Sequence, residues 1–257
     1  MGFDDSALHS PLLILIGAMD FRDKLVVITG VGRAGQAGEV IARTFAERGA
    51  TLALMDLQQA EVEARAAALV SAGFNATAHV ANLSDVAAAT AAAAEVVAKH
   101  AQFRGAVHAV ICAAGGFGST GPVDASDPAA WHKQFVINLD TAYATTRAFL
   151  PALRSGGGSL VYFVSVASLP GGNPAGMAAY TAAKSGVIAL MNAVAADEVD
   201  HRVRANAVAP VAIRTAANLA DLSDKTRYVE RESVADVVAF LASEAARNVT
   251  GQVIRLA

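Results

Sequence analysis

The sequence predicts an α/β protein, a single domain built on a doubly wound parallel sheet of seven strands with helices on both faces. Three observations predict it. Short apolar runs alternate with long Ala-, Leu-, Glu- and Arg-rich stretches along the 257 residues, and strand–helix alternation is the mark of a parallel sheet. The apolar runs are nearly continuous, as strands covered on both faces require. The chain is 54% hydrophobic and 17% charged, against roughly 25% charged in ordinary soluble domains. That composition excludes a disordered chain, and the length suits one domain with a large core.

In chain order, the expected strands are 25–29 (LVVIT), 51–55 (TLALM), 75–80, 107–113 (VHAVICA), 159–164 (SLVYFV), 203–208 and 252–256. Between them, 37–48, 60–71, 84–100, 129–153, 178–199 and 233–242 carry good helix formers. Ser233 with Asp236 resembles a capping pair for the last helix. The loops 115–127, 169–176 and 211–231 stand out, and the third is long enough to act as a binding loop or lid. Before the first strand, residues 11–19 (PLLILIGAM) form an apolar run. It falls short of the about 20 residues a spanning helix needs, and Asp4 and Asp5 precede it where a secretory signal has basic residues. Residues 1–20 are therefore expected as an N-terminal extension that packs on the body or is disordered, with docking on another subunit as the sharper reading. Residues 21–257 are the expected domain.

Twenty basic against 23 acidic residues leave a net charge of −3. No basic field is present to attract nucleic acid or an anionic membrane, so the expected partner is a small molecule. The single cysteine, Cys112, excludes an internal disulfide and a multi-cysteine metal site and suits a reducing compartment, here expected to be the cytoplasm. It reads as a small buried hydrophobe. The six histidines show no paired metal-ligand spacing and read as structural or exposed; no metal is expected.

After the first strand comes Thr29-Gly30-Val31-Gly32-Arg33-Ala34-Gly35-Gln36-Ala37-Gly38, then a helix. Glycine allows a sharp turn and close approach of backbone to a diphosphate, and a helix N-terminus offers free N–H groups and a positive dipole end. Asp56 closes the second strand, 18 residues past Gly38, where its carboxylate can accept the ribose hydroxyls of an adenosine. Strand, glycine loop, helix and acid together read as a dinucleotide site.

Tyr180 and Lys184 are four apart at the start of a helical pattern and so share a face. A neighbouring ammonium is expected to lower the phenol's pKa from its usual value of about 10, making it a general acid or base toward a carbonyl or alcohol. Ser165 lies just past a strand, at the sheet edge where α/β proteins bind ligands, and Ser168 is a second candidate hydroxyl. Phe117 and Met177 flank this place and are expected to line a substrate pocket. Trp131 and Phe135 read as helix packing.

These elements together resemble the short-chain dehydrogenase/reductase family in its compact single-domain branch, over residues 21–257. They stand in family order: the glycine loop, Asp56, Ala113-Ala114-Gly115, Asn138, Ser165, Tyr180-xxx-Lys184 and Asn206-Ala207-Val208-Ala209-Pro210. The resemblance implies a Rossmann-type sheet and hydride transfer between a nicotinamide dinucleotide and a secondary alcohol or ketone. It makes Tyr180 the proton donor or acceptor. Lys184 becomes the holder of the nicotinamide ribose, and Ser165 positions the substrate oxygen. Asn138 is implied to stabilise a helix kink and a water relay to Lys184. Gly30, Gly35, Gln36, Ala37 and Gly38 are implied to cradle the diphosphate, with Asp56 and Leu57 at the adenosine ribose and Asn82 and Leu83 at the adenine. Ala113, Ala114, Gly115, Pro210, Ile213 and Thr215 complete the dinucleotide set.

The departures from the family pattern are specific. Gly30 to Gly38 is two residues longer than the usual loop and resembles the looser loop of the family's enoyl reductases. Those enzymes carry their tyrosine seven residues before the lysine, where this chain has Met177, so the ketoreductase-type motif is the one present. Cys112-Ala113-Ala114-Gly115 lacks the family's asparagine, Pro210-Val211 replaces Pro-Gly, and the Ser165–Tyr180 spacing is two residues long. NAD is expected over NADP, because Asp56 repels a 2′-phosphate and Leu57 adds no cation; Arg33 is the opposing residue. The alternative reading is a non-catalytic nucleotide-binding subunit on the same fold. A sugar-nucleotide epimerase would need a further C-terminal substrate domain. The alanine-rich helices 129–153 and 178–199 resemble those of the family's dimer interfaces, so a homotetramer or homodimer is expected.

Overall fold

In a computed structural model, which describes residues 19–222 and 226–257, the seven strands form one sheet ordered β3-β2-β1-β4-β5-β6-β7. They are β1 Leu25–Thr29, β2 Thr51–Asp56, β3 Ala76–Val80, β4 Ala109–Cys112, β5 Ser159–Phe163, β6 Arg204–Pro210 and β7 Val253–Leu256. Every pairing is parallel, with Val27 opposite Ala53 on one side and Val110 on the other. The helices are α1 Ala37–Glu47, α2 Gln59–Ser71, α3 Val86–Lys99, α4 Pro128–Phe135, α5 Thr141–Arg154, α6 Ala178–Asp197, α7 Ala216–Asp221 and α8 Arg231–Ala242.

Alternation along each strand divides the core in two. Leu25 and Val27 pack with α3, α5 and α6, while Val26 and Ile28 pack with α1, α2 and α8. All five residues of β1 are buried, which is why the apolar run is unbroken. The chain leaves β1 toward β2 on one side and returns as β4 on the other. The connections after β1 and β4 therefore lead to helices on opposite faces, which makes the carboxyl edge of these two strands the topological switch point where such sheets bind ligands.

Four local expectations are corrected. The single helix expected over 129–153 is two helices joined by a π turn, Val136–Asp140, within which Asn138 Nδ2 donates to Gln134 O at 3.0 Å. The strand expected over 107–113 is trimmed to Ala109–Cys112. The lid holds a short helix, α7, capped by Thr215 Oγ1, which accepts from Asn218 N at 3.2 Å; AANLAD has no apolar period to announce it. Ser233 does not cap α8, which starts earlier behind Glu230 with no side-chain cap; Asp236 instead pairs with Arg48 at 2.8 Å. The run 11–19 lies, apart from Met19, outside the described residues. Among the described residues no helix is long and apolar enough to cross a membrane, and no cluster of metal-ligating side chains occurs.

Three histidines resist protonation, His79 and His100 buried and His108 half-buried. Thr77 Oγ1 lies 3.0 Å from His79 Nε2 and 2.9 Å from His100 Nε2. His108 Nδ1 accepts from Leu25 N at 3.1 Å. Burial lowers all three pKa values, that of His108 to about 4. Below pH ~6.5 the unfolded chain takes up these protons first, so stability present above that pH is lost as pH falls toward 4. We expect acid to remove about 2–3 kcal/mol through His108, with His79 and His100 acting in the same direction. Urea midpoints from pH 7 to pH 4 measure it, and an equal slope in His108→Asn would refute the assignment to His108.

Candidate active site

The loop after β1 is held against the chain after β4. Gly30 has φ +73°, and a Cβ there would lie 2.7 Å from Ala114 Cα. A Cβ on Gly38 would lie 2.5 Å from Gly30 O, so the start of α1 also needs a bare backbone. Thr29 Oγ1 donates to Ile111 O at 3.2 Å and accepts from Ala114 N at 3.1 Å. It ties down the Cys112-Ala113-Ala114-Gly115 element, which lacks the family's asparagine. Gln36 precedes α1 without a side-chain cap, leaving first-turn N–H groups of Ala37 and Gly38 with no side-chain acceptor from it. A glycine cradle that admits no Cβ, with an uncapped helix N-terminus behind it, fits a dinucleotide diphosphate.

Asp56 ends β2 beside this loop. Its Oδ2 accepts from Gly32 N at 2.8 Å and its Oδ1 from Gln58 N at 3.0 Å. Leu57 is 60% exposed, so no cation reaches the ribose position from there. Leu83 is buried, and Asn82 Oδ1 already accepts from Ser84 N and Oγ at 3.2 and 2.8 Å. The oxygen expected to meet the adenine amino group thus has two local donors.

The chemistry-bearing side chains gather where β4 and β5 end. Tyr180 stands in the first turn of α6. Lys184, one turn later and buried, donates from Nζ to Phe163 O at 2.8 Å and lies 5.8 Å from the centroid of the Tyr180 ring. Ser165 follows β5 and opposes the effect of burial on the Tyr180 phenol, while Ser168 Oγ is turned to Ser165 O at 2.7 Å and serves the turn. Asn138 clamps Gly116, accepting from its N–H at 3.2 Å and donating to its carbonyl at 3.0 Å. A Cβ on Gly115 would fall 2.7 Å from Asn138 Oδ1 and 3.4 Å from Lys184 Nζ, so Gly115, Asn138 and Lys184 share one place. Phe117 meets the Tyr180 ring edge to face, 5.2 Å between centroids.

The electrostatics correct one expectation. Lys184 was expected to lower the Tyr180 pKa; instead burial raises it, and the main relief is the Ser165 hydroxyl. Burial also lowers the Lys184 pKa to about 8, so the ammonium itself is weakened as a source of positive potential. Cys112 is pushed up to about 12 by burial and is an inert thiol.

Two contacts have no counterpart in the sequence motifs. Ser119 Oγ and Thr120 N both donate to Gly176 O, at 2.8 and 3.1 Å, joining the loops on either side of Tyr180. The lid folds back on the cradle: Pro210 ends β6, Ile213 bridges to Val229, Thr215 is buried, and Ala216 N donates to Gly35 O at 3.1 Å. Neither signal was available from spacing, because each joins loops distant in sequence and ends on a backbone carbonyl.

A dinucleotide cradle at the switch point, facing a Ser–Tyr–Lys set, defines a nicotinamide-dependent oxidoreductase acting at a CH–OH or C=O carbon. Residues 30–256 match a family model described as enoyl-(acyl carrier protein) reductase. An acetoacetyl-CoA reductase of Synechocystis sp. is 32% identical over 250 residues, 93% of this chain and 97% of that protein. The 2-(S)-hydroxypropyl-CoM dehydrogenase 3 of Xanthobacter autotrophicus is 34% identical, over 90% of this chain and 93% of its own. A gluconate 5-dehydrogenase from Burkholderia cenocepacia, solved with NADP and tartrate, superposes with a TM-score of 0.86 at 26% identity, covering 94% of this chain and 96% of that one. The chain belongs to the short-chain dehydrogenase/reductase family. It is an NAD(P)-dependent oxidoreductase, and its relatives give no support to a non-catalytic nucleotide-binding subunit.

Proposed function

We propose that the protein interconverts a secondary alcohol and a ketone with NAD(H), Tyr180 carrying the proton. The observation behind this reading is the convergence of Ser165, Tyr180 and Lys184 on one crevice beside the glycine cradle. When bound, the nicotinamide supplies or accepts the hydride. Tyr180 donates its phenolic proton to the carbonyl oxygen in reduction and takes it back in oxidation. Ser165 holds that oxygen by hydrogen bond. Lys184 holds the ribose and offsets negative charge on the phenol; Asn138 keeps Gly116 and the π turn in place, the setting for a water relay to Lys184. Gly30, Gly35, Gln36, Ala37, Gly38, Ala113, Ala114 and Gly115 form the floor for the dinucleotide; Asp56 and Leu57 meet the ribose, Asn82 and Leu83 the adenine, and Pro210, Ile213 and Thr215 the nicotinamide end. Phe117 and Met177 favour a substrate with an apolar body. Nicotinamide absorbance with a panel of ketones and secondary alcohols tests the reaction class; turnover of none of them would sink it.

The preference for NAD(H) rests on Asp56. Its carboxylate is fixed at the end of β2 by Gly32 and Gln58, and a 2′-phosphate brought near it meets like charge. Two unit charges about 4 Å apart repel by about 4 kcal/mol at an effective dielectric near 20, and tenfold in affinity is about 1.4 kcal/mol. Arg33, exposed on the loop, is the one residue of the cradle that favours NADP. We expect kcat/KM for NAD(H) to exceed that for NADP(H) by about tenfold or more, and Asp56→Ala to narrow the ratio. Wild-type preference for NADP(H) would show that Arg33 prevails.

Residues 21–257 form one catalytic domain in this reading, with 211–231 as its lid and 1–20 as an extension. The proposed setting is the cytoplasm. The assembly is a homotetramer or homodimer, because α6 keeps Ile188 and Leu190 only half buried and a helix apolar on several sides calls for cover on several sides. Light scattering giving a single-chain mass would contradict it.

A further inference from the structure

The lengthened glycine loop is held by a device outside the family motif. Glu39, in the first turn of α1, reaches back so that its Oε2 accepts from Gly35 N at 2.7 Å. Its other oxygen, Oε1, pairs with Arg65 Nη1 of α2. Both side chains are about two-thirds buried or more, 34% and 22% exposed respectively. Gly35, held at its N–H by Glu39, uses its carbonyl to accept from Ala216 N at 3.1 Å. One chain of contacts thus runs from Arg65 through Glu39 and Gly35 to the root of the lid. A Cβ on Gly35 would come within 3.1 Å of Ala216 Cβ at φ +73°, so the loop and lid meet with no room for a side chain.

The two extra residues between Gly30 and Gly38 explain the need for such a device. A longer loop has more conformations to lose on binding, and Gln36 supplies no cap to fix it. A carboxylate is an unexpected choice beside a cradle for a diphosphate, since like charges repel there. The Arg65 guanidinium resolves this by balancing the Glu39 charge while leaving its second oxygen to grip Gly35.

We infer that Glu39, neutralised by Arg65, is a positioning residue that sets the shape of the dinucleotide loop and couples it to the lid through Gly35. The inference rests on the proposed dinucleotide site. Three variants of the full chain separate the parts. Glu39→Ala removes the acceptor and the charge. Glu39→Gln keeps an acceptor for Gly35 N–H. Arg65→Met leaves the carboxylate unbalanced.

The measurements are NADH affinity by fluorescence titration and amide hydrogen exchange at Gly35 and Ala216 without added dinucleotide, with far-ultraviolet circular dichroism as the control for folding. Glu39→Ala is expected to weaken NADH binding about tenfold or more and to speed exchange at both amides. Glu39→Gln should restore binding to within about threefold of wild type. Arg65→Met should weaken it in a manner that added salt partly relieves, since salt screens a partly solvated carboxylate left without its counter-charge. Equal binding by wild type and Glu39→Ala, or equal losses in Glu39→Ala and Glu39→Gln, would overturn the inference. Failure of the wild type to bind either NADH or NADPH would instead overturn the dinucleotide site itself.

Discussion

Tyr180→Phe is expected to lower turnover by about 10²–10⁴-fold, the usual contribution of a positioned general acid or base, while leaving NADH affinity within about threefold of wild type. The substitution removes one oxygen and nothing else. The ring keeps its edge-to-face contact with Phe117 at 5.2 Å and its place in the first turn of α6, so the cradle after β1 and the Lys184 contact with Phe163 are undisturbed. In the proposed mechanism the lost oxygen is the atom that passes a proton to a carbonyl from beside Ser165. Burial raises the phenol's pKa, which keeps the proton in place at neutral pH and suits the donor role in reduction. Stopped-flow or steady-state assays with any substrate the wild type uses give the turnover, and fluorescence titration gives the affinity. Turnover within twofold of wild type would sink the assignment of Tyr180.

The strands and most helices were legible because burial on both faces keeps the central strands largely apolar, with Thr29, Ser159 and Asn206 the buried polar exceptions in β1, β5 and β6. β1 reads LVVIT and is buried throughout, with Thr29 in register beside both Met55 and Cys112. The candidate site was legible wherever its geometry is local: Tyr180 and Lys184 on one helix face, Gly30 and Gly38 at the two ends of one turn. It was not legible where tertiary contact decides. The helix expected over 129–153 is broken at Asn138, where the family resemblance implies a kink; the contacts that make the break, its amide turned to Gln134 and Gly116, reach across 22 residues of chain. Ser233 and Asp236 have the spacing of a capping pair, yet the helix starts behind Glu230, and Asp236 pairs with Arg48, just past the end of α1. The direction of the Tyr180 pKa depends on how dry its surroundings are, and spacing carries no information about desolvation. The lid's seat on Gly35 is a backbone hydrogen bond to which the side chains contribute only by being small.

Lys184→Met is expected to move stability and activity in opposite directions. The ammonium is buried, its one hydrogen-bond acceptor among the described residues is Phe163 O, and burial lowers its pKa from 10.5 to about 8. Above pH 10.5 neither folded nor unfolded chain carries the charge, and the residue is neutral for stability. As pH falls the unfolded chain takes the proton first, so folding loses free energy until the folded pKa is reached, and below about pH 8 the full penalty is present. At about 1.4 kcal/mol per pKa unit the penalty is about 3–4 kcal/mol at neutral pH. Methionine fills similar volume without the charge, so the variant gains stability at pH 7, less the lost bond to Phe163, and the gain shrinks as pH approaches 10. Turnover should fall by about 10²-fold or more, because no cation then offsets charge on the Tyr180 phenol as its proton leaves, and dinucleotide affinity should fall with it. In the wild type, carbonyl reduction should decline as pH rises through about 8, where Lys184 loses its proton. Urea denaturation of both proteins at pH 7 and pH 10, with kcat/KM against pH for the wild type, decides the matter. A variant that is less stable than wild type at pH 7 would show that Lys184 holds the fold together through Phe163. A variant that is more stable and inactive would mark a residue kept in the crevice for its chemistry at the expense of stability.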